Sequence, residues 1–201
     1  DPTQIIAVNQ AVDARTKGSL EEIAPTTVKP NGYEDWQVPW EKQVETIADA
    51  VGKENEGDKL IDDTEKAFEE FRHEHAELQD KSAAIVMPYD GKIGLYTEED
   101  GRGQFIEDLG MEIPDALQGD GGSFFVDIAP ENYAKLNQVD YLFVLDYNGS
   151  SDALKKDKTF QGLDIVKDGR VRYLDTDTGN AMSMPNPVTI PWAVDKFEEK
   201  L

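Results

Sequence analysis

Two adjacent stretches decide the fold: Asp58 to Lys81, DKLIDDTEKAFEEFRHEHAELQDK, and Ser82 to Tyr96, SAAIVMPYDGKIGLY. In the first, Ile61, Phe68, Phe71 and Leu78 step by three and four, with Thr64 and His75 filling the rhythm. That spacing places one apolar stripe along a helix and leaves a charged face, nine acids and four bases, to solvent. It predicts a long helix over residues 58–81, about 35 Å at about 1.5 Å per residue. In the second stretch the texture changes. Ala83 to Met87 and Lys92 to Tyr96 read as strands, and Asp90-Gly91 between them is a hairpin turn signal.

Downstream, strand patterns at Phe124 to Ile128, Tyr141 to Leu145 and Val171 to Leu174 interleave with helical ones. The helical stretches are Gln104 to Leu109, Glu131 to Leu136, Asp152 to Lys156 and Ile190 to Leu201. Such alternation predicts an α/β fold. Asp168-Gly169 gives a second hairpin signal, so part of the sheet is expected to be antiparallel. Upstream, Ile5 to Val8 reads as one strand, Asp13 to Glu22 as a helix closed by Pro25, residues 26–39 as a loop, and Glu41 to Val51 as a helix ended by Gly52.

The 201 residues carry 42 acids against 20 bases, a formal charge of -22, with 38% hydrophobic residues and no cysteine. The hydrophobic content is that of a globular chain. An acidic surface without a compensating basic run excludes nucleic-acid and membrane-surface binding. Without cysteine there are no disulfides, thiolate zinc sites or cysteine nucleophiles. No apolar stretch approaches the length of a membrane span.

The motifs for chemistry are sparse. The two histidines, His73 and His75, lie about 200° apart around one helix and cannot share an ion. His75 falls on the apolar stripe and reads as a packed histidine with a hydrogen-bond partner. No G-x-S-x-G elbow supplies a nucleophilic serine. Asp175 to Gly179 resembles the start of a calcium loop but lacks its glycine and closing glutamate, and reads as a polar turn. Gly101-Arg102-Gly103 is neither a dinucleotide nor a phosphate loop. It places one cation at the mouth of a helix, after the strand end at Tyr96 and within the acidic run Glu98-Glu99-Asp100. Arg102 there either neutralises its neighbours or meets an anionic ligand.

Three stretches together resemble a known family: Ile5 to Thr27, ending in EIAPTT; the long helix; and FQGLDIVKDGRVRYLD at 160–175. They are similar to the iron-siderophore solute-binding proteins of bacterial ABC importers. The resemblance implies a two-lobe α/β protein with a long inter-lobe helix, of which this chain holds one complete C-terminal α/β lobe and the remnant of the first lobe. The expected divisions are residues 1–57 for that remnant, 58–81 for the connecting helix and 82–201 for the C-terminal lobe. The chain is then expected to be a C-terminal fragment, open to dimerisation or segment exchange.

By the same resemblance the ligand-facing residues are Arg102, Tyr96, Met182, Trp36 and Asn9, with Arg102 reaching the iron-bound oxygens. Asp100 stands where hydroxamate-binding relatives have a tryptophan. Met182 and Met184 occupy the loop after the last strand, and Tyr33, Trp36 and Trp40 precede the connecting helices, where they serve packing or ligand contact. Glu131, following Ala129-Pro130 at a helix start, corresponds to the glutamate that docks on the permease. The implied function is binding without catalysis. The protein would be exported, to the cell surface as a lipoprotein or to the periplasm, and would carry a ferric siderophore with no other cofactor or metal. Receptors for haem, cobalamin or ferric citrate are the alternatives within transport, and a carboxylate-metal α/β enzyme is the alternative outside it.

Overall fold

The computed structural model describes residues Asp1–Leu201. The chain divides into two compact units, Asp1–Glu65 and Lys66–Leu201. In the first, β1 (Ile5–Ala7) is followed by α1 (Ala14–Glu21), and β2 (Thr26–Val28) returns parallel to β1 with Ile5 opposite Thr26. Asp13 caps α1 by accepting from the Thr16 amide at 2.7 Å. The stretch read as loop therefore opens with a strand. Its three residues Thr-Thr-Val are all β-branched, and the neighbouring Pro and Gly residues masked that signal. α2 (Trp40–Val51) ends at Gly52, which takes the left-handed φ of 66°.

α3 runs from Glu54 to Glu74, starting and stopping earlier than the expected 58–81. Gly57 lies inside the helix. A Cβ there would come within 2.5 Å of the Ala48 Cβ, so glycine is what lets α2 and α3 approach. At the other end His75 leaves helical geometry and a 3-10 turn, Ala76–Leu78, completes the stripe. Thr64, Phe68, Phe71 and Leu78 are buried, as the periodicity requires.

The second unit is built on a five-stranded sheet. β3 (Ala83–Tyr89), β4 (Lys92–Tyr96) and β5 (Phe125–Ile128) form an antiparallel meander, and β6 (Tyr141–Asp146) and β7 (Val171–Asp175) add in parallel, in the order β5-β4-β3-β6-β7. Asp90 and Gly91 both take positive φ, 46° and 75°, in the two-residue turn joining Tyr89 to Lys92. The second Asp-Gly pair does something else. β6 and β7 are parallel, and Asp168-Gly169 closes a helix: Gly169 N–H donates to Val166 O at 3.1 Å and Arg170 N–H to Ile165 O at 3.0 Å, a Schellman cap.

The remaining helices are α4 (Gly101–Asp108), α5 (Asp152–Lys156), α6 (Lys158–Gln161), α7 (Asp164–Lys167), α8 (Thr176–Ser183) and α9 (Ile190–Glu198), with a long 3-10 segment at Pro130–Gln138. The expected polar turn at Asp175 is the start of α8, where Asp175 accepts from the Thr178 amide and hydroxyl, both at 2.9 Å. Asp-Thr-Asp-Thr is a capping sequence, and the capping reading wins over the calcium-loop one.

Alternation along the strands sorts two cores. Ala84, Val86, Ile93, Leu95, Leu142 and Val144 face Tyr133, Leu136, Leu154, Phe160 and Ile165 on one side of the sheet. On the other, Phe143 meets Phe197 of α9 at 4.5 Å, and Phe197 in turn meets Phe71 and Phe105 at 6.1 and 6.2 Å. The face that carries Phe143 also carries Met87, Tyr89, Gly94, Tyr96 and Phe125, where the functional candidates gather.

Candidate ligand-binding site

The Gly-Arg-Gly sequence is a packing device that fixes one arginine. α4 begins at Gly101 with Asp100 as its cap, accepting from the Arg102 amide at 2.9 Å. A Cβ on Gly103 would lie 1.9 Å from Thr97 O, and one on Gly101 would lie 2.8 Å from Pro185 Cδ. The first turn of α4 is thus wedged between the end of β4 and the segment after α8. Arg102 projects from this wedge with its side chain only 14% exposed.

Its guanidinium is held on three sides. Nη1 donates to both Asp100 carboxylate oxygens at 2.9 and 3.1 Å, Nη2 donates to the Tyr147 hydroxyl at 3.4 Å, and the plane sits 4.1 Å from the centre of the Tyr96 ring. The buried Nε has no partner. Burial pushes the Asp100 carboxyl above its ordinary value, against the Arg102 charge and the hydrogen bonds, which pull it down. Burial likewise raises the Tyr96 hydroxyl, so it stays protonated and donates to the Met87 sulfur at 3.7 Å.

Around this cation lies an aromatic platform. Phe125 packs 5.2 Å from Tyr96 and 5.5 Å from Tyr89, and the half-exposed Phe124 adjoins it. The platform depends on Gly94, because the Phe125 ring covers that residue: a Cβ there would be 1.8 Å from Phe125 Cζ. At the far end Lys92 sits 4.8 Å over the Tyr89 ring, and both side chains bond to Asp127. On the near side Gly179 admits Tyr147, whose hydroxyl would be 2.9 Å from a Cβ at that position.

Of the residues expected from sequence, Tyr96 and Arg102 are therefore together. Met182 is not part of this surface. The stretch expected to be a loop is the last turn of α8, and Met182 points inward there, fully buried, which leaves a ligand nothing to touch; Met184 is the exposed methionine. Asn9 and Trp36 belong to the first unit. Asn9 is buried and accepts from the Val38 amide at 3.3 Å, so it ties down the 33–39 loop. Trp36 is exposed and holds φ at 69°, an uncommon state for a bulky residue, whereas Trp40 is core. Glu131 is exposed in the first turn of the 3-10 segment. Tyr147, Phe125, Tyr89 and Met87 were not foreseen. The available signals were Gly94 in mid-strand and an aromatic directly after the carboxyl end of β6.

Such a surface combines hydrogen-bond donors with aromatic rings. The fold is that of an α/β solute-binding protein. A family model described as periplasmic binding protein matches residues 1–178, and the chain belongs to that family. PiaA, the iron uptake ABC transporter substrate-binding protein of Streptococcus pneumoniae, superposes with a TM-score of 0.83 at 26% identity, covering 98% of this chain and 70% of PiaA. PiaA in complex with ferrichrome gives 0.83 at 25%, with 98% and 68% covered. SirA of Staphylococcus aureus shares the fold, with a TM-score of 0.77 at 21% identity over 100% of this chain and 76% of SirA. A search of curated proteins finds no match. The family and these neighbours are binding proteins rather than enzymes.

Proposed function

We propose that this chain is the substrate-binding component of a bacterial ABC importer and that its ligand is a ferric siderophore. One observation carries the reading. The Arg102 guanidinium lies 4.1 Å from the centre of the Tyr96 ring beside a tyrosine hydroxyl and an aromatic platform, in a chain whose structural neighbour PiaA has been captured with ferrichrome. Siderophore chelates present electron-rich oxygens around iron and an organic frame outside them. The guanidinium and the Tyr147 hydroxyl suit the oxygens, and Tyr96, Phe125 and Tyr89 suit the frame. The iron arrives and leaves as cargo, and no bond is made or broken.

Glu131 serves as the carboxylate that meets the permease: it is exposed, and sits in a first turn where a negative charge costs no stability. Work of this kind places the protein outside the cytoplasmic membrane, as a surface lipoprotein or in the periplasm. The test is a tryptophan-fluorescence titration with ferrichrome, ferric enterobactin and their iron-free forms. Saturable quenching by a ferric chelate and not by its iron-free form is expected. No saturable change with either chelate overturns the assignment.

A further inference from the structure

Asp100 is unusual in its company. It is 7% exposed and lies against the one arginine of the ligand surface, and both of its oxygens are spent on that arginine. Its position is doubly fixed, since Oδ1 also receives the Arg102 amide as the helix cap. A ligand cannot simply push it aside. The acids Glu98 and Glu99 directly precede it on the same loop, and the whole chain carries a formal charge of -22. Arg102 therefore offers a ligand the remaining Nη2 N–H beside the Tyr147 hydroxyl, but no net positive field.

We propose that Asp100 is a specificity-determining residue: by neutralising Arg102 it sets the site to take electrically neutral iron chelates and to reject multiply anionic ones. This rests on the ferric-siderophore reading given above and adds a charge class to it. A neutral chelate, such as iron held by three hydroxamates, needs hydrogen-bond donors and aromatic surface, which are present. A tris-catecholate chelate carries an excess negative charge that must be met by cations when it leaves water. Here the one buried cation is already matched, so the desolvation of such a ligand goes uncompensated. Charge repulsion at the wrong ligand is a common source of selectivity.

The experiment compares ferrichrome, a neutral tris-hydroxamate, with ferric enterobactin, a triply anionic tris-catecholate, on the wild-type chain and on Asp100→Asn. Asparagine keeps the helix cap and removes the charge. Wild type is expected to prefer ferrichrome, and the substitution to narrow that preference by about tenfold or more, the scale of close charge coupling. Asp100→Ser, which also caps, should act in the same direction. In wild type the preference should shrink as salt is raised from about 50 to about 500 mM, because screening weakens repulsion of the anionic ligand. A wild-type preference for ferric enterobactin, or a ratio indifferent to salt and to both substitutions, overturns the proposal. Failure of both chelates to bind wild type overturns the ferric-siderophore reading itself and the proposal with it.

Discussion

Gly94→Ala tests whether the aromatic platform is as tightly determined as its geometry indicates. The added methyl would sit 1.8, 2.2 and 2.8 Å from three carbons of the Phe125 ring, where ordinary contact needs about 3.5–4 Å. The sheet backbone is paired on both sides at this position, so the ring must move. Its displacement forfeits the contacts with Tyr96 and Tyr89, each worth about 0.5–1.5 kcal/mol beyond area burial. With residual strain, the expected loss is about 2–4 kcal/mol. In a Phe125→Ala background the same methyl meets no ring, and replacing a strand glycine then costs nothing or stabilises slightly. The double-mutant cycle should thus show a coupling of about 2–3 kcal/mol in urea denaturation followed by circular dichroism. Additivity within about 0.5 kcal/mol would refute the argument that Gly94 exists to seat Phe125.

Arg102→Ala should weaken ferric-chelate binding by about 1.5–3 kcal/mol, the range for a hydrogen bond to a charged group, read by fluorescence titration; unchanged affinity removes Arg102 from the site. Gly103→Ala should cost about 3 kcal/mol or prevent folding, because the clash is with the Thr97 carbonyl of the backbone and has no flexible side chain to relieve it; a melting temperature within about 2 °C of wild type contradicts the wedge. Glu131→Ala should leave chelate affinity intact and reduce uptake in cells, whereas a lowered melting temperature with normal uptake assigns Glu131 to structure alone. His75 is hydrogen-bonded to Glu198 at 2.7 Å and its pKa is raised, first by that bond. A raised native value means stability fully present below the ordinary 6.5 and lost as pH climbs through the native value. Melting temperature should therefore fall more between pH 6 and 8 in wild type than in Glu198→Gln, and equal slopes would exclude the pair as the source.

The long helix, the strand sequence and the Arg102 locus were legible because each rests on a local rule: period along α3, β-branched runs bounded by turns, a cation between strand end and helix start. What escaped was set by contacts distant in sequence. Gly57 breaks helices in isolation but is recruited into α3 by the close approach of Ala48. Thr26–Val28 becomes a strand only because Ile5–Ala7 lies beside it. Asp90-Gly91 and Asp168-Gly169 are the same dipeptide with the same left-handed glycine, and only the structure before each decides between hairpin and helix cap. Within the site, Tyr147 and Phe125 come to Arg102 and Tyr96 through the sheet, so no spacing in the sequence announces them. Met182 reads as available because it sits in a polar segment; the last turn of α8 turns it inward.

The mixed sheet also carries an order of assembly. The β3-β4 hairpin is closed by a two-residue turn, so its pairing requires little loop entropy and can form within microseconds. β5 reaches β4 only across residues 97–124, and β6 and β7 pair in parallel and must each wait for a crossover, all of which is slower. Tyr96 and Gly94 belong to the fast hairpin, whereas Phe125, Tyr147 and Gly179 arrive with the slower parts. The ligand surface is therefore a seam between early and late parts of the folding reaction. A chelate that bridges Tyr96 and Tyr147 joins the two, and should slow unfolding of the sheet more than it speeds its formation.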